Sequence, residues 1–158
     1  MKSKEEQILL IGKQAELERQ LSRLYGLFDK KFPLTKLWPF LIEEECKHEC
    51  WLKQILPKVM DGSIYIFVNE VTVLEIEKMT DGIVKAYEKF YREGISLVKA
   101  LSAAEKFEVH MLDRDFFHFL DSEDPKISQL LDSLNEDTKK HRDMLIKAQV
   151  LVKIGEDI

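Results

Sequence analysis

The sequence predicts an all-α protein, a four-helix bundle with one long crossover between its second and third helices. Few turns interrupt the chain, because its 158 residues include only six glycines and four prolines. Apolar residues recur at about 100° per residue, the helical spacing, in four long segments. The connections between segments one and two and between three and four are short, whereas roughly forty residues separate two from three, which indicates a single crossover.

The composition predicts one globular domain over residues 1–158 and excludes several classes of partner. The chain is 45% hydrophobic and 34% charged, with a net charge of −5. This balance is typical of a globular protein with a charged exterior and argues against a nucleic-acid partner. No apolar run is long enough to predict a membrane span or a signal peptide. Cys46 and Cys50, one helical turn apart, form no disulfide framework, so a cytoplasmic location is expected.

Helix-start and helix-stop signals predict the bounds of the four long helices and of the crossover. The helices are predicted at about residues 5–31, 35–56, 96–120 and 126–153. Thr35 is the expected N-cap of the second helix, and Pro57 is expected to follow its end. The crossover contains a β-branched and aromatic stretch at 63–73, which is expected to be extended, and a short predicted helix at 80–92.

Each long helix carries ionisable side chains within its apolar face. In the first helix, Glu18 lies on the same face as Leu21 and Tyr25. The comparable positions of the other three helices are occupied by His48, Glu105 with Glu108 beside it, and His141. Burying an unpaired carboxylate costs several kcal/mol even after relaxation. Ionisable side chains on the apolar faces of all four helices therefore indicate a shared functional role.

A bound cation is the simplest counter-charge, because these faces carry no evident lysine or arginine. Carboxylates combined with one or two imidazoles suit iron or manganese, and zinc is a further option. Glu105 and Glu108 support this interpretation, since like charges one turn apart repel unless they are protonated or bind a cation. Taken singly, His141 has a plainer explanation as a hydrogen-bonded core histidine.

The second helix leaves the choice of its carboxylate ligand open. Glu44 lies about 40° and Glu45 about 60° from His48 around the helix axis, on opposite sides, so both could reach a metal ion. The plainer explanation here is an ion pair on the helix surface. Cys46 and Cys50 are expected to be partly buried thiols that pack as small apolar residues rather than a redox pair.

Across nearly its whole length, the chain resembles the di-iron domain of the rubrerythrin branch of the ferritin-like superfamily. The resemblance is carried by Glu18 with Tyr25 seven residues later and by the stretches EEECKH (43–48), ALSAAEKFE (100–108) and LNEDTKKH (134–141). It implies a ferritin-like four-helix bundle that binds one or two iron ions. The ligands that it implies are Glu18, Glu45, His48, Glu105, Glu108 and His141. Tyr25 and Glu44 are then candidates for supporting the ligands.

The chain departs from the family pattern in two places. Thr138 stands where the family has a glutamate that bridges two irons, and Asp137, one residue earlier, has a short side chain at the edge of the same face. No pair of CxxC motifs follows the fourth helix, so the rubredoxin-like module of full-length rubrerythrins is missing. The resemblance therefore implies a stand-alone bundle that would need a separate electron donor.

Two functions follow from these observations as hypotheses. The resemblance implies a non-haem iron protein, a peroxidase or ferroxidase that uses hydrogen peroxide or dioxygen and pairs as a homodimer through exposed apolar faces. The alternative, favoured by Thr138, is a metal-poor bundle that serves as an interaction or regulatory module. Without metal, Glu105 and Glu108 would have raised pKa values, and stability would increase as the pH falls toward them.

Overall fold

A computed structural model of the chain describes residues 3–66, 72–114, 116 and 122–158. Over these ranges it contains helices and no β-strand, which confirms the predicted all-α class. The helices are α1 (Lys4–Lys31), α2 (Leu37–Asp61), α3 (Val73–Glu93), α4 (Leu97–Asp113) and α5 (Pro125–Lys153). Four of them correspond to the predicted long helices, and α3 is a further helix of 21 residues within the crossover.

Helix α2 differs from the prediction at both ends. Its N-cap is Lys36, and the Thr35 hydroxyl instead donates a hydrogen bond to the Phe32 carbonyl at 2.7 Å. Pro57 lies inside the helix rather than beyond it, and the helix ends at Gly62 with a φ of 80°. Proline removes one helical hydrogen bond there, and the turn that follows still packs on the core through the buried Val59. Gly62 then ends the helix in the left-handed conformation that glycine favours.

The crossover is more helical than predicted. Helix α3 begins at Val73, because Thr72 and Glu75 form a capping box at its N-terminus, a Thr-x-x-Glu signal that was readable in the sequence. Of the stretch predicted to be extended, residues 64–66 form no helix, Val73 is helical, and 67–71 lie outside the described residues.

Helix α4 begins after the N-cap Ser96, where the sequence predicts its start. It ends at Asp113, earlier than the predicted end near residue 120, and residues 117–120 lie outside the described part of the chain. Helix α5 agrees with the prediction at both ends, with Asp124 as its N-cap and proline as its first residue.

An aromatic cluster joins α1, α2 and α3. The rings of Phe28 on α1 and Trp38 on α2 lie 5.0 Å apart, and Phe90 on α3 lies 5.9 Å from Phe28. The Tyr25 ring lies 5.9 Å from Trp38 on the side toward the middle of the bundle. Helix α1 therefore packs against both α2 and α3, while α4 packs against α5. Each helix in the described ranges is too short or too polar to span a lipid bilayer.

Candidate metal centre

Five of the six predicted ligands lie together in the interior of the bundle. They come from α1, α2, α4 and α5, and each is at most 1% exposed: Glu18, Glu45, His48, Glu108 and His141. Helical spacing places each of them in line with core residues of its own helix. Packing the four apolar faces together therefore brings these polar side chains into one buried cluster.

Glu45 is at the middle of this cluster. Its Oε2 lies 3.0 Å from His48 Nδ1, and its Oε1 lies 3.0 Å from His141 Nδ1. The two imidazole rings stack with their centroids 5.4 Å apart and an angle of 23° between their planes. A single carboxylate thus faces a different histidine with each of its oxygen atoms.

Two triads share Glu45. In the first, Glu18 Oε2 lies 3.8 Å from His48 Nδ1, and in the second, Glu108 Oε1 lies 3.8 Å from His141 Nδ1. Each triad offers one ligand atom per residue, all within 4.8 Å of one another. Two donor atoms bound about 2.1 Å from a metal ion at about 90° are about 3 Å apart, which matches the distances from Glu45 to the histidines. The spacing of the residues in each triad is therefore compatible with metal binding.

Several polar atoms of the cluster have no hydrogen-bond partner among the described residues. They are Glu18 Oε2, Glu45 Oε1, Glu108 Oε2 and both ring nitrogens of His141. Although Glu45 Oε1 and His141 Nδ1 are close, their orientation does not align a hydrogen bond between them. Leaving a buried polar atom unpaired costs about 1–3 kcal/mol. Hydrogen bonds among these side chains therefore leave part of the cluster unpaired, and a metal ion between the triad residues would supply a partner for the atoms that face it.

Protons balance the charge of the cluster when no metal is bound. Burial raises the pKa of Glu18 to about 7 and raises the pKa of Glu108 well above its usual value. Burial opposes ionisation of Glu45 as well, but attraction to His141 and His48 lowers its pKa below the usual range. Burial also opposes protonation of His48, yet Glu18 and Glu45 raise the His48 pKa to about 11. A protonated His48 therefore supplies part of the counter-charge that was expected from a bound cation.

Two side chains hold the outer carboxylates of the triads in place. The Tyr25 hydroxyl donates a 2.6 Å hydrogen bond to Glu108 Oε1, the supporting contact considered for Tyr25 from the sequence. Gln14 Nε2 donates to Glu18 Oε1 at 3.0 Å. Gln14 was not predicted as part of the site, although its position four residues before Glu18 places both on one helix face.

Tyr25→Phe is expected to lower the free energy of unfolding of the metal-free protein by about 1–3 kcal/mol. The substitution removes the donor to Glu108 and keeps the ring that packs on Trp38. Urea denaturation followed by circular dichroism measures the change. Tyr91→Phe is the matched control, since Tyr91 is exposed, and it should change stability by less than about 0.5 kcal/mol. Equal losses in the two variants would contradict the assignment.

The structure does not bring Glu105 into the cluster. Its side chain is half-buried and accepts a hydrogen bond from Gln149 Nε2, and neither triad includes it. Glu105 and Glu108 therefore do not form the buried pair that the sequence suggested, because only Glu108 is enclosed. The expectation that Cys46 and Cys50 are partly buried is wrong, since both are exposed.

The structure also shows what occupies position 138, where a bridging glutamate was expected, and which carboxylates lie beside the two histidines. Thr138 is buried, and its hydroxyl donates to the Leu134 carbonyl at 3.0 Å, so no carboxylate enters the cluster there. Asp137 Oδ2 lies 3.5 Å from His48 Nε2, and Glu44 Oε2 lies 3.9 Å from His141 Nε2. Metal-binding histidines commonly direct their second nitrogen at such a carboxylate.

Comparisons of the chain with protein-family models, with curated proteins and with solved structures find no match. The assignment of a function therefore rests on the positions and charges of these side chains. What they establish is a buried group of glutamates and histidines whose spacing is compatible with metal binding.

Proposed function

We propose that this protein binds two divalent metal ions in a carboxylate-bridged centre of the rubrerythrin type. The observation that carries the proposal is Glu45, whose two oxygen atoms each lie 3.0 Å from a different buried histidine. A carboxylate in this position can bridge two ions. Glu18 and His48 would complete one position, and Glu108 and His141 the other. With Thr138 in place of the family's second bridging glutamate, the two ions would share a single bridge.

Iron is the metal that we propose. Each position offers two carboxylates and one imidazole, a donor set that suits iron or manganese, with zinc as an alternative. Bound iron would supply redox chemistry toward hydrogen peroxide or dioxygen. The chain itself would hold the ions, keep water out of a centre whose ligands are at most 1% exposed, and retain protons on Glu18 and His48 when metal is released. Electrons would come from a separate donor protein.

The arrangement of the helices supports a ferritin-like bundle. All five residues of the two triads come from α1, α2, α4 and α5, which correspond to the four predicted long helices. Helix α3 contributes no residue to the triads and packs on α1 through Phe90 and Phe28. The crossover helix is thus an addition beside a four-helix metal site rather than a part of it.

The test of this proposal is the number of metal ions bound per chain. The metal-free protein is loaded with excess ferrous ion under anaerobic conditions, passed through a desalting column and analysed for iron. Two ions per chain are expected. One ion per chain would contradict the bridging role of Glu45, and no bound iron, manganese or zinc would overturn the proposal.

The second candidate is a metal-poor bundle that acts as an interaction or regulatory module. Two observations favour it: Thr138 places no carboxylate in the centre, and the protonated His48 compensates buried negative charge without a metal ion. A ligand that binds only the folded state raises the melting temperature. If none of the three metals raises the melting temperature at pH 7.5, this second function is the better one.

A further inference from the structure

The two histidines of the centre present a second set of ring nitrogens on their outer side. His48 Nε2 lies 3.5 Å from Asp137 Oδ2, and His141 Nε2 lies 3.9 Å from Glu44 Oε2. Within the part of the chain that the structure describes, His141 Nε2 has no hydrogen-bond partner, although the side chain is only 1% exposed. Glu44, His48 and His141 can each offer one ligand atom within 4.8 Å of the others, which makes a third group of metal-ligand spacing.

A lysine ammonium already lies beside this outer group. Lys47 Nζ donates to both carboxylate oxygens of Glu44 at 2.7 Å and lies 3.5 Å from Asp137 Oδ2. It also lies 4.9 Å from the centroid of the Trp51 ring, a cation–π contact. The position between Glu44 and Asp137 is therefore one in which the protein stabilises a positive charge.

The outer group lies between the buried centre and solvent. The side chains of His48 and His141 are at most 1% exposed, whereas those of Asp137, Glu44 and Lys47 are 12%, 18% and 35% exposed. Carboxylates at the mouth of a buried site raise the local concentration of cations and the rate of association. A cation that approaches from this side meets Glu44 and Asp137 before it reaches an imidazole.

We propose that Glu44, Asp137 and the Nε2 atoms of His48 and His141 form an outer cation site through which a divalent metal ion enters the centre, and that Lys47 closes this site until the ion displaces its ammonium. This inference rests on the proposed metal-binding function. The flexible, partly exposed side chain of Lys47 can move to solvent, which frees both oxygens of Glu44. The outer site then provides a path for exchange that the inner ligands, being enclosed, do not.

An entry role and a purely orienting role for Glu44 and Asp137 predict different rates of metal binding and release. If they only orient the imidazole rings, removing one of them weakens the inner ligands and speeds metal dissociation. If they form an entry site, removing one slows association and dissociation by the same factor, because the ion passes the same site in both directions. The equilibrium affinity then stays the same. Rates of metal binding and release therefore distinguish the two roles.

The experiment measures Co²⁺ association by stopped-flow absorbance and Co²⁺ release into excess chelator. It uses the full chain and the variants Lys47→Met and Glu44→Gln, with Asp137→Asn as a second test of the carboxylates. We expect Lys47→Met to raise both rate constants about tenfold and Glu44→Gln to lower both about tenfold. Lys53→Met and Glu49→Gln are the matched controls, since these residues form an ion pair on the same helix and belong to none of the three metal-ligand groups, and should leave both rate constants unchanged.

The measured rates distinguish failure of the entry site from failure of the metal centre. Unchanged rates in Lys47→Met and Glu44→Gln, with Co²⁺ still bound by all proteins, would overturn the entry site and leave the metal centre standing. Faster release and weaker affinity in Glu44→Gln and Asp137→Asn, without slower association, would assign these carboxylates an orienting role instead. If the unmodified protein binds no Co²⁺, the entry site and the proposed function both fail.

Discussion

Glu45→Gln is expected to abolish metal binding at both positions of the centre. Glu45 is the residue shared by the two triads, and each of its oxygens faces a different histidine at 3.0 Å. An amide keeps the size of the side chain and loses the charge and one of the two oxygen donors. We expect the affinity for the first ion to fall by about 100-fold or more, beyond the range found for residues that only support ligands. Titration with Co²⁺ and metal analysis of the loaded protein measure the loss.

Glu105→Gln is the matched control for this prediction. It makes the same chemical change on α4, one turn from Glu108, but at a half-buried side chain that contacts Gln149 and lies outside both triads. Metal content and affinity should be unchanged. Glu18→Gln should be intermediate, because it weakens one triad and leaves the other complete. A loss of metal in Glu105→Gln equal to that in Glu45→Gln would show that Glu105 is a ligand and that the centre rearranges on loading.

The second large effect is that the metal-free protein should become less stable as the pH rises from 5 to 8. The folded pKa of Glu18 is about 7, above its usual 4.5, so stability is lost as the pH rises from 4.5 through 7, by about 3 kcal/mol in total. His48, raised to about 11, contributes stability that is lost as the pH rises above 6.5. Glu45 has a lowered pKa, and its contribution is lost only below about pH 4.5, outside this range.

Bound metal should reverse this dependence on pH. Ligands must be deprotonated to bind a metal ion, so the ion replaces protons and its affinity increases with pH. We expect the rise in melting temperature caused by Mn²⁺ to be small at pH 5 and to grow steadily to pH 8. Differential scanning calorimetry with and without Mn²⁺ measures both trends.

Glu18→Gln tests the origin of the dependence on pH. The amide cannot ionise, so the metal-free variant should lose less stability between pH 5 and 8 than the unmodified protein. Glu105→Gln should retain the full dependence. A metal-free protein whose melting temperature rises over this range would contradict the protonation states assigned to Glu18 and His48.

The sequence by itself determined the all-α class and which face of each long helix is buried. Helical periodicity is a local property, so the spacing of Glu18 from Leu21 and Tyr25, or of His48 from Leu52, already places these residues on an apolar stripe. The burial of Glu18, Glu45, His48, Glu108 and His141 agrees with that analysis. The capping box at Thr72 is equally local, so the start of α3 at Val73, rather than at residue 80, could have been predicted from the sequence.

Only the tertiary structure decided which polar residues on those stripes meet. Angular positions around the helix axis made Glu44 and Glu45 equivalent candidates for a metal ligand. They also placed Glu105 as close to the apolar face as Glu108. The structure encloses Glu45 and Glu108, whereas Glu44 remains beside Lys47 and Glu105 beside Gln149. The physical reason is that periodicity fixes the direction of a side chain only relative to its own helix axis. The rotation of each helix against its neighbours, set by packing, determines which carboxylate loses water and therefore which pKa values shift.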